Sequence, residues 1–78
     1  MKYVYIPESV DTRHYYVGIA GDVLARLMKH NSGSVLHTSK YQPWNLKTYV
    51  AFSDPEKALA FERYLKSASG RAFAKKRL

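Results

Sequence analysis

The sequence predicts an α+β fold, in which a small three-stranded, mainly antiparallel sheet is flanked by two or three helices. Two observations carry this prediction. First, two β-forming segments occur in succession and a third lies further along the chain. Second, a segment in which apolar residues have helical spacing follows the second β-forming segment, and another follows the third. At 78 residues, the chain is expected to form one domain over residues 1–78, with no internal repeat or linker.

The first half of the chain predicts a β-hairpin followed by a helix. Residues 2–6 (KYVYI) form the first predicted strand, and residues 14–19 (HYYVGI) form the second. A polar, turn-like segment joins them, which favours antiparallel pairing. A helix is predicted over residues 22–30, with Asp22 at its N-terminus and HNSGS as its stop signal. Its apolar stripe, expected to face the core, consists of Val23, Leu24, Leu27 and Met28.

The second half predicts a loop, a strand and a second helix. Residues 34–45 have no clear period and are predicted to form a loop, whereas residues 46–52 (LKTYVAF) form the third predicted strand. The second helix is predicted within residues 53–69, and a third short helix follows a break at Gly70. The buried stripe of the second helix consists of Ala58, Phe61 and Leu65.

The start of the second helix allows two different caps. Ser53 and Glu56 match the S-x-x-E capping box. Asp54 followed by Pro55 offers an alternative, because proline is favoured at the first helical position. The sequence leaves both caps open.

The charge balance indicates a polyanionic partner. Thirteen Lys and Arg residues against six Asp and Glu residues give a formal net charge of +7. Nucleic acid is the commonest polyanion that such a field attracts, and the seven tyrosines add surfaces on which bases can stack. A basic domain whose tyrosines simply pack in the core is the ordinary alternative.

The amino-acid composition also limits the expected cellular location of the protein and the kinds of metal site that it can form. The chain contains no cysteine, which excludes disulfides and thiolate metal sites. No apolar run approaches the roughly 20 residues that a membrane span needs, and the N-terminus lacks the apolar segment of a secretion signal. We therefore expect a soluble cytoplasmic protein with no membrane partner.

Five polar or aromatic side chains are candidates for chemistry: Tyr5, Tyr16, Arg26, His30 and Glu62. Each of them also has an ordinary explanation. Arg26 follows Asp22 by one helical turn, and Glu62 precedes Lys66 by four residues, which are the spacings of surface ion pairs. A histidine at a helix C-terminus and tyrosines on strands are common as well. Spacing alone therefore assigns no function.

The five residues and their surroundings together resemble the GIY-YIG nuclease superfamily. YVY at residues 3–5 and YVG at residues 16–18 look like the paired tripeptides of that family. The family expects an arginine ten residues after the second tyrosine and a glutamate on a later helix, and Arg26 and Glu62 stand at those places. KHNSGS and KYQPW are similar to segments of its compact single-domain branch. The resemblance covers essentially the whole chain.

Some positions depart from the family pattern. Tyr3 and Val4 replace the glycine and isoleucine of the first tripeptide, and Val17 replaces the isoleucine of the second. Ile19 stands where some members carry a lysine, so that position is assigned no role. Many members place an asparagine after the glutamate helix, whereas this chain has none after Asn45.

The resemblance implies a metal-dependent endonuclease that hydrolyses DNA phosphodiester bonds in repair, recombination or processing, with weak sequence selectivity or a preference for DNA shape. It implies that Glu62 binds one Mg²⁺ or Mn²⁺ ion and that Arg26 stabilises charge on the phosphate. Tyr16 is the implied general base, and Tyr5 is expected to orient the water or the phosphate. His30 is expected either to contact the phosphate or to accept a tyrosine proton.

Basic residues outside this set are expected to hold the nucleic-acid backbone: Lys40, Arg71, Lys75, Lys76 and Arg77. DNA is the expected partner, with RNA as an alternative. A solvated basic tail would explain the C-terminal residues equally simply. A catalytically silent nucleic-acid-binding module and a small partner-binding subunit are the rival functions. The sequence does not decide whether the domain acts as a homodimer or is recruited by another protein.

Overall fold

The computed structural model describes residues 1–11 and 14–78. Three strands and four helices follow one another as β1 (Lys2–Ser9), β2 (Gly18–Ala20), α1 (Val23–Asn31), α2 (Leu36–Ser39), β3 (Trp44–Phe52), α3 (Pro55–Leu65) and α4 (Ala68–Arg77). The α+β prediction is confirmed. In the part of the chain that is described, no helix combines the length and the apolar character needed to cross a bilayer.

The sheet has the order β2-β1-β3, and both of its strand pairs are antiparallel. In the centre of β1, Tyr5 lies opposite Gly18 on one side and Tyr49 on the other. A register shift between Ile6 and Pro7 interrupts the pairing of β1 with β3. The predicted hairpin is therefore confirmed.

The second strand is shorter than predicted. β2 begins at Gly18, and residues 14–17 run beside β1 with only an isolated bridge between Tyr15 and Glu8. The Tyr16 amide still donates to the Pro7 carbonyl at 3.4 Å. Since the ladder is interrupted here, Tyr16 lies in an extended segment rather than in the strand.

Two further boundaries differ from the prediction. The expected loop over residues 34–45 contains the short helix α2 and the first two residues of β3. The expected break at Gly70 is absent, because α4 begins at Ala68 and the Ser67 side chain caps it by accepting from the Gly70 amide at 3.1 Å. Helix packing explains the glycine, since a Cβ on Gly70 would lie 1.7 Å from the Tyr64 carbonyl oxygen of α3.

Both predicted aspartate caps are present. Asp22 caps α1 by accepting from the Ala25 amide at 3.0 Å. Asp54 caps α3 by accepting from the Glu56 amide at 2.9 Å, with Pro55 as the first helical residue. Of the two alternatives for α3, the structure therefore selects the aspartate-proline cap.

One face of the sheet forms an apolar core against α3 and α4. Val4 and Ile6 point to this face and pack with Ala58, Leu65 and Ala74, all of which are buried. Phe61 is partly buried beside them. The predicted stripe of α3 is therefore confirmed.

The opposite face packs against α1 in a way that the sequence did not predict. Leu24 and Met28 are 67% and 73% exposed, so half of the predicted apolar stripe faces solvent. The inward side of α1 instead carries Val23, Leu27 and His30, which are spaced four and three residues apart on one helical face. His30 is only 3% exposed. A histidine therefore belongs to the buried side of α1, which was predicted to consist of apolar residues alone.

Candidate active site

The two candidate tyrosines meet on the α1 side of the sheet. Tyr5 projects from the centre of β1 and is fully buried. Its ring lies 6.1 Å from that of Tyr16, edge to face, with an interplanar angle of 80°. Gly18 makes room for this arrangement, because a Cβ there would lie 2.7 Å from the Tyr5 hydroxyl oxygen. The glycine of the second tripeptide is thus explained by the phenol that crosses it.

His30 joins this pair from the last turn of α1. Its Nε2 lies 3.2 Å from the Tyr5 hydroxyl, and its Nδ1 lies 3.1 Å from the Thr38 hydroxyl of α2. Thr38 donates its single hydroxyl proton to the Val35 carbonyl at 3.3 Å, so it accepts from Nδ1–H. Nε2 then carries the lone pair and accepts from the Tyr5 hydroxyl. The histidine is therefore held as a proton acceptor toward Tyr5.

The electrostatics of His30 agree with that assignment. Burial lowers the pKa of His30, and the positive charge of Arg26 lowers it further. The imidazole is consequently neutral at neutral pH. Of the two roles expected for His30, a buried ring hydrogen-bonded to Tyr5 fits acceptance of a tyrosine proton and does not fit direct contact with a phosphate.

Arg26 brings an exposed positive charge to the same cluster. Its guanidinium interacts with the Tyr5 hydroxyl, which raises the pKa of Arg26, and Tyr16 acts in the same direction. The alternative surface pair with Asp22 is not formed, since the Asp22 carboxylate caps α1 and the one ion pair among the described residues lies elsewhere. Arg26 is therefore brought together with Tyr5 and Tyr16.

Tyr16 is the least satisfied member of the cluster. Its ring centroid lies 4.9 Å from that of His30 and 5.2 Å from that of Trp44. Its hydroxyl is buried and has no hydrogen-bond partner among the described residues. Burial raises the pKa of Tyr16, the neighbouring Tyr5 hydroxyl raises it further, and Arg26 opposes both. In this state the phenol keeps its proton, so a base role for Tyr16 requires a group that takes that proton.

Glu62 lies apart from the tyrosines, on α3. Its Oε2 atom accepts a hydrogen bond from the Lys66 ammonium group at 3.0 Å, so the expected surface pair is formed. Lys66 in turn lines a cavity that Tyr16 also lines. The structure therefore brings Tyr5, Tyr16, Arg26 and His30 together, and it connects Glu62 to that cavity only through its contact with Lys66.

The Glu62 carboxylate suits a hard divalent cation that is held by few protein ligands. The part of the chain that is described contains no group of three or more His, Cys, Asp or Glu residues able to enclose a metal ion. Mg²⁺ does not require such a cage, because it retains several waters and is often bound by one or two carboxylates together with substrate phosphates. The single mostly buried carboxylate of Glu62 fits that mode.

The basic residues predicted to hold nucleic acid fall into two groups. Arg71 lines the cavity beside Tyr16, and the Lys40 ammonium group lies 5.2 Å above the ring of Tyr41, which lines it too. The C-terminal residues Lys75, Lys76 and Arg77 are exposed on the last turn of α4. Lys75 lines a different cavity, next to Glu8. Lys40 and Arg71 therefore lie nearest to the candidate site.

Three residues that sequence reasoning did not assign hold the cluster in place. The Trp44 indole donates to the Thr38 carbonyl at 3.0 Å, which fixes the helix turn that carries the Thr38 hydroxyl. The Asn31 amide donates to the Trp44 carbonyl at 2.9 Å and accepts from the Trp44 amide. The quoted segments KHNSGS and KYQPW contain Asn31 and Trp44, but their spacing does not reveal that the two residues bond to each other.

Comparison with known proteins identifies the family of this chain. The family model described as the GIY-YIG catalytic domain matches residues 1–77. Searches among curated proteins and among solved structures give no significant match. The match includes every residue of the candidate site.

Proposed function

Because the chain belongs to the GIY-YIG family of nucleases, we propose that it is an endonuclease that hydrolyses DNA phosphodiester bonds with one Mg²⁺ or Mn²⁺ ion. The convergence of the exposed Arg26 with the buried hydrogen-bonded pair of Tyr5 and His30 supports this proposal most strongly. Core packing alone does not explain an exposed guanidinium that interacts with a buried tyrosine–histidine pair. A reacting phosphate needs both a positive charge and a proton acceptor.

Arg26 supplies the positive charge. Its side chain is exposed and interacts with the Tyr5 hydroxyl, so an incoming phosphate meets the guanidinium before it meets the tyrosines. The planar fork of arginine donates two parallel hydrogen bonds to phosphoryl oxygens. These bonds strengthen as negative charge develops in the transition state, which is the condition for accelerating the reaction.

Proton removal is the second requirement, and the hydrogen-bond direction at His30 suggests a relay. His30 Nε2 takes the hydroxyl proton of Tyr5. The Tyr16 hydroxyl has no partner among the described residues, so the next transfers require substrate binding to bring it into contact with the Tyr5 hydroxyl and with the attacking water. Tyr5 then takes the proton of Tyr16, and Tyr16 takes a proton from the water. Three transfers leave both phenols neutral, the imidazole protonated and the water as hydroxide. This relay explains how Tyr16 can act as a base although its pKa is raised.

Glu62 is the residue that would hold the divalent cation, which supplies neutralisation of charge on the phosphoryl oxygens. Lys66 contacts the Glu62 carboxylate at 3.0 Å, so a bound cation would share that carboxylate with Lys66 or replace it there. The remaining basic residues, Lys40 and Arg71 near the cavity and Lys75 to Arg77 on α4, add affinity for the backbone without sequence preference. We accordingly propose a role in DNA repair, recombination or processing.

The test is cleavage of supercoiled plasmid and branched DNA with Mg²⁺, with Mn²⁺ and with EDTA. Wild-type protein should nick DNA only when a metal ion is present, and Glu62→Gln should abolish nicking at metal concentrations that saturate the wild type. Glu56→Gln is the matched control, because Glu56 is an exposed carboxylate on the same helix and its loss should leave cleavage unchanged. Salt-sensitive DNA binding with no cleavage of any substrate would overturn the proposal in favour of a silent binding module.

A further inference from the structure

A cavity of about 530 Å³ opens beside the candidate active site. Its walls come from the segment that carries His14 and Tyr16, from Tyr41 in the connection between α2 and β3, and from Lys66 and Arg71 at the junction of α3 and α4. Binding sites for small ligands have volumes of roughly 300–1,000 Å³. The cavity is therefore large enough for one nucleotide.

Aromatic rings form a continuous wall of this cavity. The rings of His14 and Tyr41 are stacked, 4.1 Å apart with an interplanar angle of 20°. Tyr41 contacts Trp44 edge to face at 6.4 Å, and Trp44 contacts Tyr16 in the same way at 5.2 Å. Such a wall favours a flat, polarisable ligand that adds to the stack, as a nucleobase does.

Positive charge surrounds the aromatic wall. The side chains of Lys66 and Arg71 line the cavity and are exposed, whereas none of the described lining residues is acidic. The Glu62 carboxylate contacts the lining residue Lys66 and is paired with its ammonium group. The cavity thus combines a surface for a base with cations for a phosphate, and this combination selects a nucleotide over an uncharged aromatic ligand.

We infer that this cavity binds an unpaired nucleotide of the DNA substrate next to the phosphodiester that is cleaved. The inference rests on the proposed nuclease function for the position of that phosphodiester, since Tyr16 belongs both to the cavity wall and to the catalytic cluster. A paired base cannot enter, because its faces are stacked within the duplex and extrusion costs a few kcal/mol. The substrates selected in this way are single strands, flaps and gaps.

Substitution of Tyr41 tests the inference directly. Tyr41→Leu keeps an apolar side chain and removes the ring that stacks, while the main chain of Tyr41 stays held by its own bonds to Ser9 and Thr38. The measurement is fluorescence anisotropy with a labelled single strand and a labelled blunt duplex, in EDTA so that no cleavage occurs. Affinity for the single strand should fall roughly 5- to 150-fold, the scale of one lost stacking contact, and duplex affinity should stay within about twofold.

Two matched variants complete this experiment. Tyr49→Leu removes an exposed tyrosine on β3 that lines a different cavity, and it should bind both ligands as the wild type does. Tyr41→Phe keeps the ring and should also bind as the wild type does. Equal losses on single strand and duplex in Tyr41→Leu, or no loss on either, would overturn the inference.

The wild-type chain provides a test that does not depend on a variant being folded. The fluorescence of a single strand that carries 2-aminopurine should change on binding, because the base leaves its stacked neighbours in the strand for the aromatic wall, and unchanged fluorescence would overturn the inference. Failure of the two proposals can be told apart. Tyr41-dependent binding of single strands without cleavage would remove the proposed function and leave the nucleotide site. Metal-dependent cleavage with single-strand binding that does not depend on Tyr41 would leave the proposed function and remove the nucleotide site.

Discussion

The two faces of the sheet use alternate residues of one strand and pack by different physical rules. On the α3–α4 face, Val4 and Ile6 of β1 belong to a cluster of buried apolar side chains. On the α1 face, Tyr5 lies between them in sequence and meets Tyr16 and His30. The first face excludes water around apolar side chains. The α1 face buries polar groups, which must form hydrogen bonds with one another.

This difference separates the main source of stability from the tyrosine–histidine part of the candidate site, whereas Glu62 lies on α3 of the apolar face. The hydrogen bonds of the tyrosine–histidine part run through Tyr5, His30 and Thr38, none of which belongs to the apolar cluster. On the polar face, the bonds from Tyr5 through His30 to Thr38 both hold the helices and orient a proton acceptor. Among the described residues, the Tyr16 hydroxyl is the one buried side-chain group left without a partner, and donation of a hydrogen bond to a substrate or water oxygen would offset its desolvation.

Ile6→Ala tests the apolar face and should give the largest effect. Loss of a buried isoleucine to alanine costs about 2–5 kcal/mol, which is a large part of the stability of so small a domain. Urea unfolding measures the loss. The rate per folded molecule should stay at the wild-type value, and a rate that falls in the folded protein would show that the two faces are not separable.

Arg26→Ala should produce the opposite pattern on the polar face. Removing a group that stabilises transition-state charge lowers the cleavage rate by roughly 10²–10³-fold, or about 2.7–4 kcal/mol. The melting temperature should change little, because the side chain is exposed. Lys29→Ala removes the same charge from another exposed position of α1 and serves as the control. An unfolded Arg26→Ala protein would mean that the arginine is structural.

Local signals explain why much of the fold could be predicted. The aspartate caps at Asp22 and Asp54 depend on a few adjacent residues, and the alternation of exposed and half-buried residues in β3 is a property of that strand alone. The orientation of α1 is not local. Its apolar residues occupy two sides, and only the contact with the sheet decides that Val23 and His30 face inward while Leu24 faces solvent.

The candidate site was predictable to the extent that it resembles a known family. The resemblance supplied Tyr5, Tyr16, Arg26, His30 and Glu62, and the structure gathers the first four around one point. It could not supply Thr38, which acts through a hydrogen bond to the histidine across the turn between two helices. The residues of α2 carry no sequence signal for that bond, because the bond depends on the position of His30 in space.

Gly18→Ala should affect both stability and cleavage, which sharpens the contrast between the faces. The new methyl group would lie 2.7 Å from the Tyr5 hydroxyl oxygen and would displace a ring that has no free space. Overpacking of this kind costs about 1–3 kcal/mol, and it also disturbs the bond to His30. Gly21→Ala is the control, since a Cβ there meets nothing within 4 Å. Equal behaviour of the two variants in unfolding and cleavage assays would contradict the close packing of Tyr5.

The smallest expected effect is the pH dependence of stability that His30 contributes. Because burial lowers the pKa of His30 in the folded protein, the unfolded chain binds the proton more tightly, and the free energy of unfolding should decrease as the pH falls below about 6.5. One group contributes at most about 1.36 kcal/mol per pH unit. Urea unfolding between about pH 5 and 8, the range in which histidine titrates, measures this slope. His30→Gln should remove the slope and His37→Gln, at an exposed position, should retain it. A slope that survives in His30→Gln would show that the buried imidazole does not enter the folded state neutral, and the relay from Tyr5 would then lose its acceptor.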